Sequence, residues 1–354
     1  MSITGTNGTS YDINGLTISG VSGATYQLDQ SLASFDGEGI GYQCDGSNDN
    51  FSIVSLVNNF FASDDGNKRM RLIITGKAGG NPVMNGDNFF DFPSANPYNK
   101  QIELDFTGCT LPDLVIPTAG YTYFNFNGNK DITVVGAKCK ITANQTLLSS
   151  TAWTSGFSNG GKVSNCTSAI VLNHNPGPPA YDACFKDMDT AEGCEAYFAS
   201  YSPSSSLSTG AFNSCGKVIN CAVLDTPGEI LANTVCGFYN CGIVIGCTGS
   251  VFASSIARMF SDCKILVGCE GYAYANPNNS SVFYASSSTS NAVQISNCRA
   301  PLKTVAGHSA GKGIVIDGTT SGAKYTLTGN ATHDAITTHS AGGSNYFVAG
   351  NIII

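Results

Sequence analysis

The sequence predicts an all-β chain, a right-handed parallel β-helix of about ten coils. Three observations carry that expectation. Eight of the 14 cysteines, at 109, 139, 166, 194, 221, 247, 269 and 298, recur at intervals of 22–30 residues, 27 on average. The text before them repeats: Gly161-Lys-Val-Ser-Asn-Cys166 returns as Gly216-Lys-Val-Ile-Asn-Cys221, Gly242-Ile-Val-Ile-Gly-Cys247 and Lys264-Ile-Leu-Val-Gly-Cys269. Each copy is a short alternating apolar run closed by Asn or Gly, which reads as a strand and a tight bend. A fixed period of this length with Gly/Asn/Ser-rich spacers belongs to a solenoid.

The strand text persists where the cysteine does not, as in Tyr325-Thr-Leu-Thr-Gly-Asn330 and Tyr346-Phe-Val-Ala-Gly-Asn351 downstream and Arg71-Leu-Ile-Ile-Thr-Gly76 upstream. A second cysteine stands six residues before the first in three copies, at Cys215, Cys241 and Cys263. Stacked coils would set Cys166, Cys194, Cys221, Cys247 and Cys269 in one inward ladder. Two readings fit such a ladder. The thiols are small buried apolar groups, or neighbouring rungs close into disulfides, whose spacing they allow. No pair is spaced C-x-x-C, so neither a zinc ribbon nor a thioredoxin-type site is expected.

One segment departs from the β pattern. Residues 51–62 carry apolar side chains at 53, 54, 57, 60 and 61, a helical spacing. Asp49 or Asn50 is the candidate N-cap. A helix before the first coil would cover strand edges and open core. The expected organisation is a linker or particle-attachment segment over 1–40, a capping motif and helix over 41–66, and the β-helix over 67–354.

Composition excludes other classes. Charged residues are 12 % and the net charge is −8, with no Lys/Arg cluster, so no nucleic-acid partner is expected. No apolar run approaches the roughly 20 residues of a membrane span, so no membrane insertion is expected. The first residues have neither a basic nor an apolar signal region, which points to synthesis in a cytoplasm. His174, His308, His333 and His339 are dispersed; neither a metal nor a cofactor is expected.

Cys44-Asp-Gly-Ser-Asn-Asp-Asn-Phe-Ser-Ile53, followed by the helix and the first strand, resembles the entry motif of bacteriophage tailspikes of the pectate-lyase-like β-helix superfamily. That motif opens Asp-Gly-x-x-Asp-Asp. Here Asn50 stands at the second Asp, and Lys77-Ala-Gly-Gly80 where Pro-Gly usually follows the strand. The resemblance implies a homotrimeric virion protein, attached to other virion proteins through its N-terminus, that recognises and in some members cleaves host-surface polysaccharide.

Cleavage would need convergent carboxylates. The densest acidic stretch holds Asp182, Asp187, Asp189, Glu192 and Glu195; of these Asp187, Asp189, Glu192 and Glu195 are the candidate catalytic residues, against the reading that they are solvated bend residues. Loops at 173–181, 201–210 and 274–284 fall in one phase of the repeat, and Cys194-Glu-Ala-Tyr197 recurs as Cys269-Glu-Gly-Tyr272. Aromatic rings cover apolar sugar faces and polar neighbours pair hydroxyls. Tyr181, Tyr197, Tyr201, Tyr272, Tyr274 and Tyr284, with Glu195 and Glu270, are therefore the candidate glycan-binding residues. The favoured function is non-catalytic glycan recognition by a virion spike. A glycan depolymerase and a purely structural spike are the alternatives.

Overall fold

A computed structural model describes residues 2–4, 11–13, 16–18, 25–28, 40–64, 68–79, 88–116, 121–145, 153–174, 181–200, 208–230, 234–275, 280–286, 292–303, 305, 309–318, 324–340 and 345–354. The chain winds through three parallel sheets in turn. Among the described residues the first sheet holds 14 strands, the second 11 and the third 10. One coil runs from Lys162–Ser164 in the first sheet to Thr167–His174 in the second and Tyr181–Lys186 in the third. The next coil begins at Thr190–Glu192, paired in parallel register on Lys162–Ser164. This is a parallel β-helix.

Each sheet contributes one inward column. In the first, Leu72, Leu104, Val134, Val163, Ala191, Val218, Val244, Leu266, Ile295 and Leu327 stack in register, each at most 2 % exposed. In the third, Phe90, Phe124, Phe157, Phe185, Phe212, Phe238, Phe260 and Phe283 form a continuous pile. Successive ring centroids lie 4.7–5.1 Å apart and the planes are 3–12° from parallel. The sheet spacing sets that distance. In five consecutive coils this Phe precedes the ladder cysteine by nine residues (Phe157, Phe185, Phe212, Phe238 and Phe260), a regularity as periodic as the cysteines themselves.

The bend from the first sheet to the second requires positive φ. Gly136, Asn165, Gly193, Asn220, Gly246, Gly268, Asn297, Gly329 and Gly350 occupy it, with φ between 51° and 67°. Only Gly adopts this region freely, and Asn tolerates it. The choice between the two is coupled from coil to coil. A Cβ on Gly193, Gly246 or Gly329 would lie 2.5 Å from the Oδ1 of Asn165, Asn220 or Asn297 respectively, on the preceding coil. Each of these Asn side chains would have to shift to admit any residue but Gly at its successor.

The residue after the bend points inward. Cys166, Cys194, Cys221, Cys247, Cys269 and Cys298 are all buried, and all 14 cysteines are free thiols. The thiols act as more than filler. Cys194 N–H donates to Cys221 Sγ at 3.3 Å, Cys221 N–H to Cys247 Sγ at 3.4 Å, and Cys269 N–H to Cys298 Sγ at 3.4 Å. Farther on, Cys298 N–H donates to Asn330 Oδ1 at 2.9 Å and Asn330 N–H to Asn351 Oδ1 at 2.8 Å. Asn takes over the acceptor role of Cys, which is why the repeat survives loss of the cysteine. Cys215, Cys241 and Cys263 form a second buried ladder at the bend from third sheet to first. They follow Ser214, Asn240 and Asp262, which hold φ of 52–57°.

The helix spans Asp49–Ala62 and buries Ile53, Leu56, Val57, Phe60 and Phe61. It does not precede the first parallel rung. Ile40–Cys44 already pairs in parallel with Arg69–Lys77, so the helix is an excursion between two rungs. Two further strands, Thr25–Leu28 and Ser2–Thr4, extend that sheet in antiparallel pairing. Asp49, 2 % exposed, accepts hydrogen bonds from Tyr42 Oη, Asp45 N, Gly46 N and Gly79 N at 2.8–3.2 Å. A Cβ on Gly79 would meet Gly46 O at 1.9 Å, so the two loops close only around glycine. Asn50 donates to Phe89 O at 2.9 Å, a bond an ionised Asp could not make. At the other end the fully buried Lys100 donates to Phe60 O at 2.8 Å and Ser63 Oγ at 2.7 Å. A cation there complements the exposed carbonyls of the last turn.

Two stability measurements test these roles. Gly246→Ala should destabilise by about 1–2 kcal/mol from backbone strain, with a further steric cost against Asn220. Adding Asn220→Gly should remove the steric part, giving a non-zero coupling in a denaturant double-mutant cycle. Cys247→Val should cost about 1–3 kcal/mol because it orphans the Cys221 N–H, whereas Cys247→Ser, which keeps an acceptor, should cost less.

Candidate functional site

The outward positions of the second sheet follow the ladder cysteine at fixed offsets. One residue after it stand Glu195, Ala222, Thr248, Glu270 and Arg299, neighbours in register. Three residues after it stand Tyr197 and Leu224, paired with each other, and Ser250 and Tyr272, likewise paired. A tyrosine therefore stands at each end of a row whose middle is shorter. The result is a groove of about 390 Å³ lined by Tyr197, Val223, Leu224, Thr248, Gly249, Ser250, Glu270, Tyr272 and Lys303. Its ends are three rungs apart, roughly 14 Å at the sheet spacing. Gly249, with φ 152°, has no room for a side chain beneath the groove: a Cβ there would sit 2.4 Å from Val223 O and 2.8 Å from the buried Met259.

The groove combines apolar and polar surface. Leu224, 46 % exposed, supplies the apolar part. Tyr272 Oη donates to Glu270 Oε1 at 3.3 Å, and Glu270 Oε2 pairs with Arg299 at 3.3 Å. Partial burial, with the Glu270 charge beside it, raises the Tyr272 phenol above its usual pKa, so it stays a neutral donor. Lys303 holds its ammonium 5.2 Å from the Tyr272 ring centroid.

Of the sequence candidates, Tyr197, Tyr272 and Glu270 meet in this groove. Glu195 stands exposed on the same sheet, beside Tyr197. Tyr274 is 1 % exposed and stacked on Phe252 at 4.6 Å, so it offers no face to a ligand. Tyr284 belongs to the third sheet and faces a different environment. Arg258 lies 3.4 Å over its ring and its hydroxyl donates to Asp317 at 3.0 Å. Asp262, nearby, accepts from Ser286 N at 2.7 Å and Ser261 Oγ at 3.0 Å. The strand Tyr181–Lys186 begins at Tyr181, whose side chain, like the whole of Tyr201, lies outside the described residues. The loop stems do share one edge: strands ending at His174, Ser200 and Ala275 leave the second sheet, and strands starting at Tyr181, Ser208 and Ser281 enter the third.

The acidic stretch follows the chain around two corners. Asp187 occupies the positive-φ bend from third sheet to first, paired with Lys186. Asp189 faces Lys130 at 3.6 Å. Glu192 ends a first-sheet strand, and Glu195 starts a second-sheet strand beyond the next bend. Among the described residues no three His, Cys, Asp or Glu side chains are grouped to hold a metal ion. His333 Nδ1 is 2.8 Å from Ala300 O and its Nε2 3.9 Å from Asp334.

Leu224 and Ser250 were missed in the sequence, although their offset of three from a ladder cysteine marks them. Lys303 had no such mark, because it follows the shortened strand Arg299–Ala300, after which the chain leaves the repeat. Comparison with protein-family models, with curated proteins and with solved structures finds no match to this chain.

Proposed function

We propose that the chain is a virion spike or tail-fibre-like solenoid that recognises host-surface glycan without cleaving it. The groove between Tyr197 and Tyr272 carries this reading. Two aromatic rings about 14 Å apart, with hydroxyl, carboxylate and ammonium groups between and beside them, suit a chain of about three sugars. The groove's lining holds one carboxylate, Glu270, which is already ion-paired. Glycosidic cleavage ordinarily uses two carboxyl groups roughly 5–10 Å apart, which favours binding over hydrolysis.

The finer architecture belongs to the same proposal: a right-handed solenoid of about ten coils, the helix Asp49–Ala62 covering core beside its first rungs, residues 1–40 attaching to other virion proteins, and assembly as a homotrimer. The apolar surface available for packing between protomers supports the last point. Phe347, Val348, Ile352, Ile353 and Ile354 are each more than half exposed. On the first sheet, Ile219, Ile243, Ile245, Ile265 and Val267 form a flat, partly exposed aliphatic patch over three coils. Contiguous apolar surface of this kind marks protein contacts.

Tyr197→Ala and Tyr272→Ala should each weaken retention on host polysaccharide about tenfold, near the 1–2 kcal/mol of an aromatic contact, and leave cooperative unfolding intact. Unchanged retention in both variants would remove the groove from recognition, and release of reducing ends from the polysaccharide would replace binding by depolymerisation. Light scattering at micromolar concentration should give three chain masses; a single chain mass would reject the trimer.

A further inference from the structure

We infer that the glycan carries an acidic sugar, whose carboxylate is held at the Tyr272–Lys303 end of the groove. This deepens the glycan reading and rests on it. The argument is the distribution of charge around the groove. Glu270 is engaged on both oxygens, Oε2 by Arg299 at 3.3 Å and Oε1 by Tyr272 Oη at 3.3 Å. Its negative charge is therefore matched within the protein. Lys303 is not matched: among the described residues no carboxylate lies within 4.0 Å of its ammonium, which is instead placed 5.2 Å from the Tyr272 ring. Arg299 and Lys303 against Glu270 leave this end with one positive charge in excess.

The chain as a whole is acidic, with 25 acidic and 17 basic residues, so a positive groove end runs against the overall charge. The other end has the opposite sign. Glu195, exposed beside Tyr197, is the acid nearest that end in register, and no ion pair to it occurs among the described residues. A ligand bearing a negative charge is thus attracted to one end and repelled from the other, which fixes its direction along the row. A single ammonium matches a monoanion, and we take the monoanion to be the ring carboxylate of a sugar acid, which carboxyl reduction removes selectively. A sugar ring against the exposed part of Tyr272 would present a ring carboxylate at the height of the Lys303 ammonium.

The test uses full-length protein and a panel of hexasaccharides in which uronate alternates with neutral hexose, each paired with its carboxyl-reduced counterpart. Wild-type protein should bind the best uronate member about tenfold more tightly than its reduced partner, and the difference should shrink as salt rises. Lys303→Gln should bring the ratio of the two affinities to about one, whatever its effect on the reduced partner alone, and Lys303→Arg should retain the ratio. Equal affinity for both partners in wild type, or a preference that persists in Lys303→Gln, overturns the acidic-sugar inference and leaves glycan recognition standing. Binding of no member, by a protein whose unfolding is normal, overturns both.

Discussion

Coil-to-coil register is the constraint on which the rest of this structure depends. Each rung exchanges backbone hydrogen bonds with the rung before it, in register apart from shifts at Ile73–Thr75 and Phe198–Ser200. A residue at a given phase therefore meets the same depth, the same backbone angles and the same neighbours in every coil. That is why like sits on like: Phe on Phe at 4.7–5.1 Å along the third sheet, aliphatic on aliphatic along the first, thiol on thiol at two bends. It also creates dependence between coils. Asn165, Asn220 and Asn297 fill the space a Cβ would need on the next coil, so Gly193, Gly246 and Gly329 fit there without displacing them. Cys221, Cys247 and Cys298 accept the N–H of the cysteine one coil earlier, and Asn330 and Asn351 continue the series with an oxygen.

Where the helix interrupts the winding, register cannot supply partners, and the chain uses buried charge instead. Asp49 collects three backbone donors from two separate loops and the hydroxyl of Tyr42 from a strand, and Lys100 closes the helix C-terminus through Phe60 O and Ser63 Oγ. Hydrogen bonds to charged groups contribute about 1.5–3 kcal/mol each, and an ion sequestered from water persists only when so compensated. These two residues join segments that no repeat aligns. Asn50 follows the same logic, since a donor is what Phe89 O requires.

The same ladder organises the outer surface. Positions one and three residues beyond the bend cysteine emerge on the second sheet in two straight rows. Placing bulky tyrosines at the ends and Leu224 and Ser250 between them turns a flat sheet into a groove without any change of backbone path. The segment after Ala300 then brings Lys303 onto the Tyr272 end. The shape of this surface is a matter of which side chains occupy outward phases, so core and surface can vary independently on one scaffold.

The sequence by itself determined the parallel solenoid, its period, the inward cysteine ladder, the Asn/Gly bends and the helix near residue 51. All of these are encoded by repetition, and repetition is visible without coordinates. It also placed Tyr197 and Tyr272 on one face, because Cys-Glu-x-Tyr recurs in phase. Tertiary structure alone decided what breaks the repeat. It buried Tyr274 against Phe252, set Tyr284 on another sheet beneath Arg258, placed Ile40–Cys44 as a parallel rung ahead of the helix, and carried Lys303 back to the groove. Local pattern fixes the phase of a residue within its coil. It does not fix where an excursion between coils comes to rest, which depends on contacts between residues tens of positions apart.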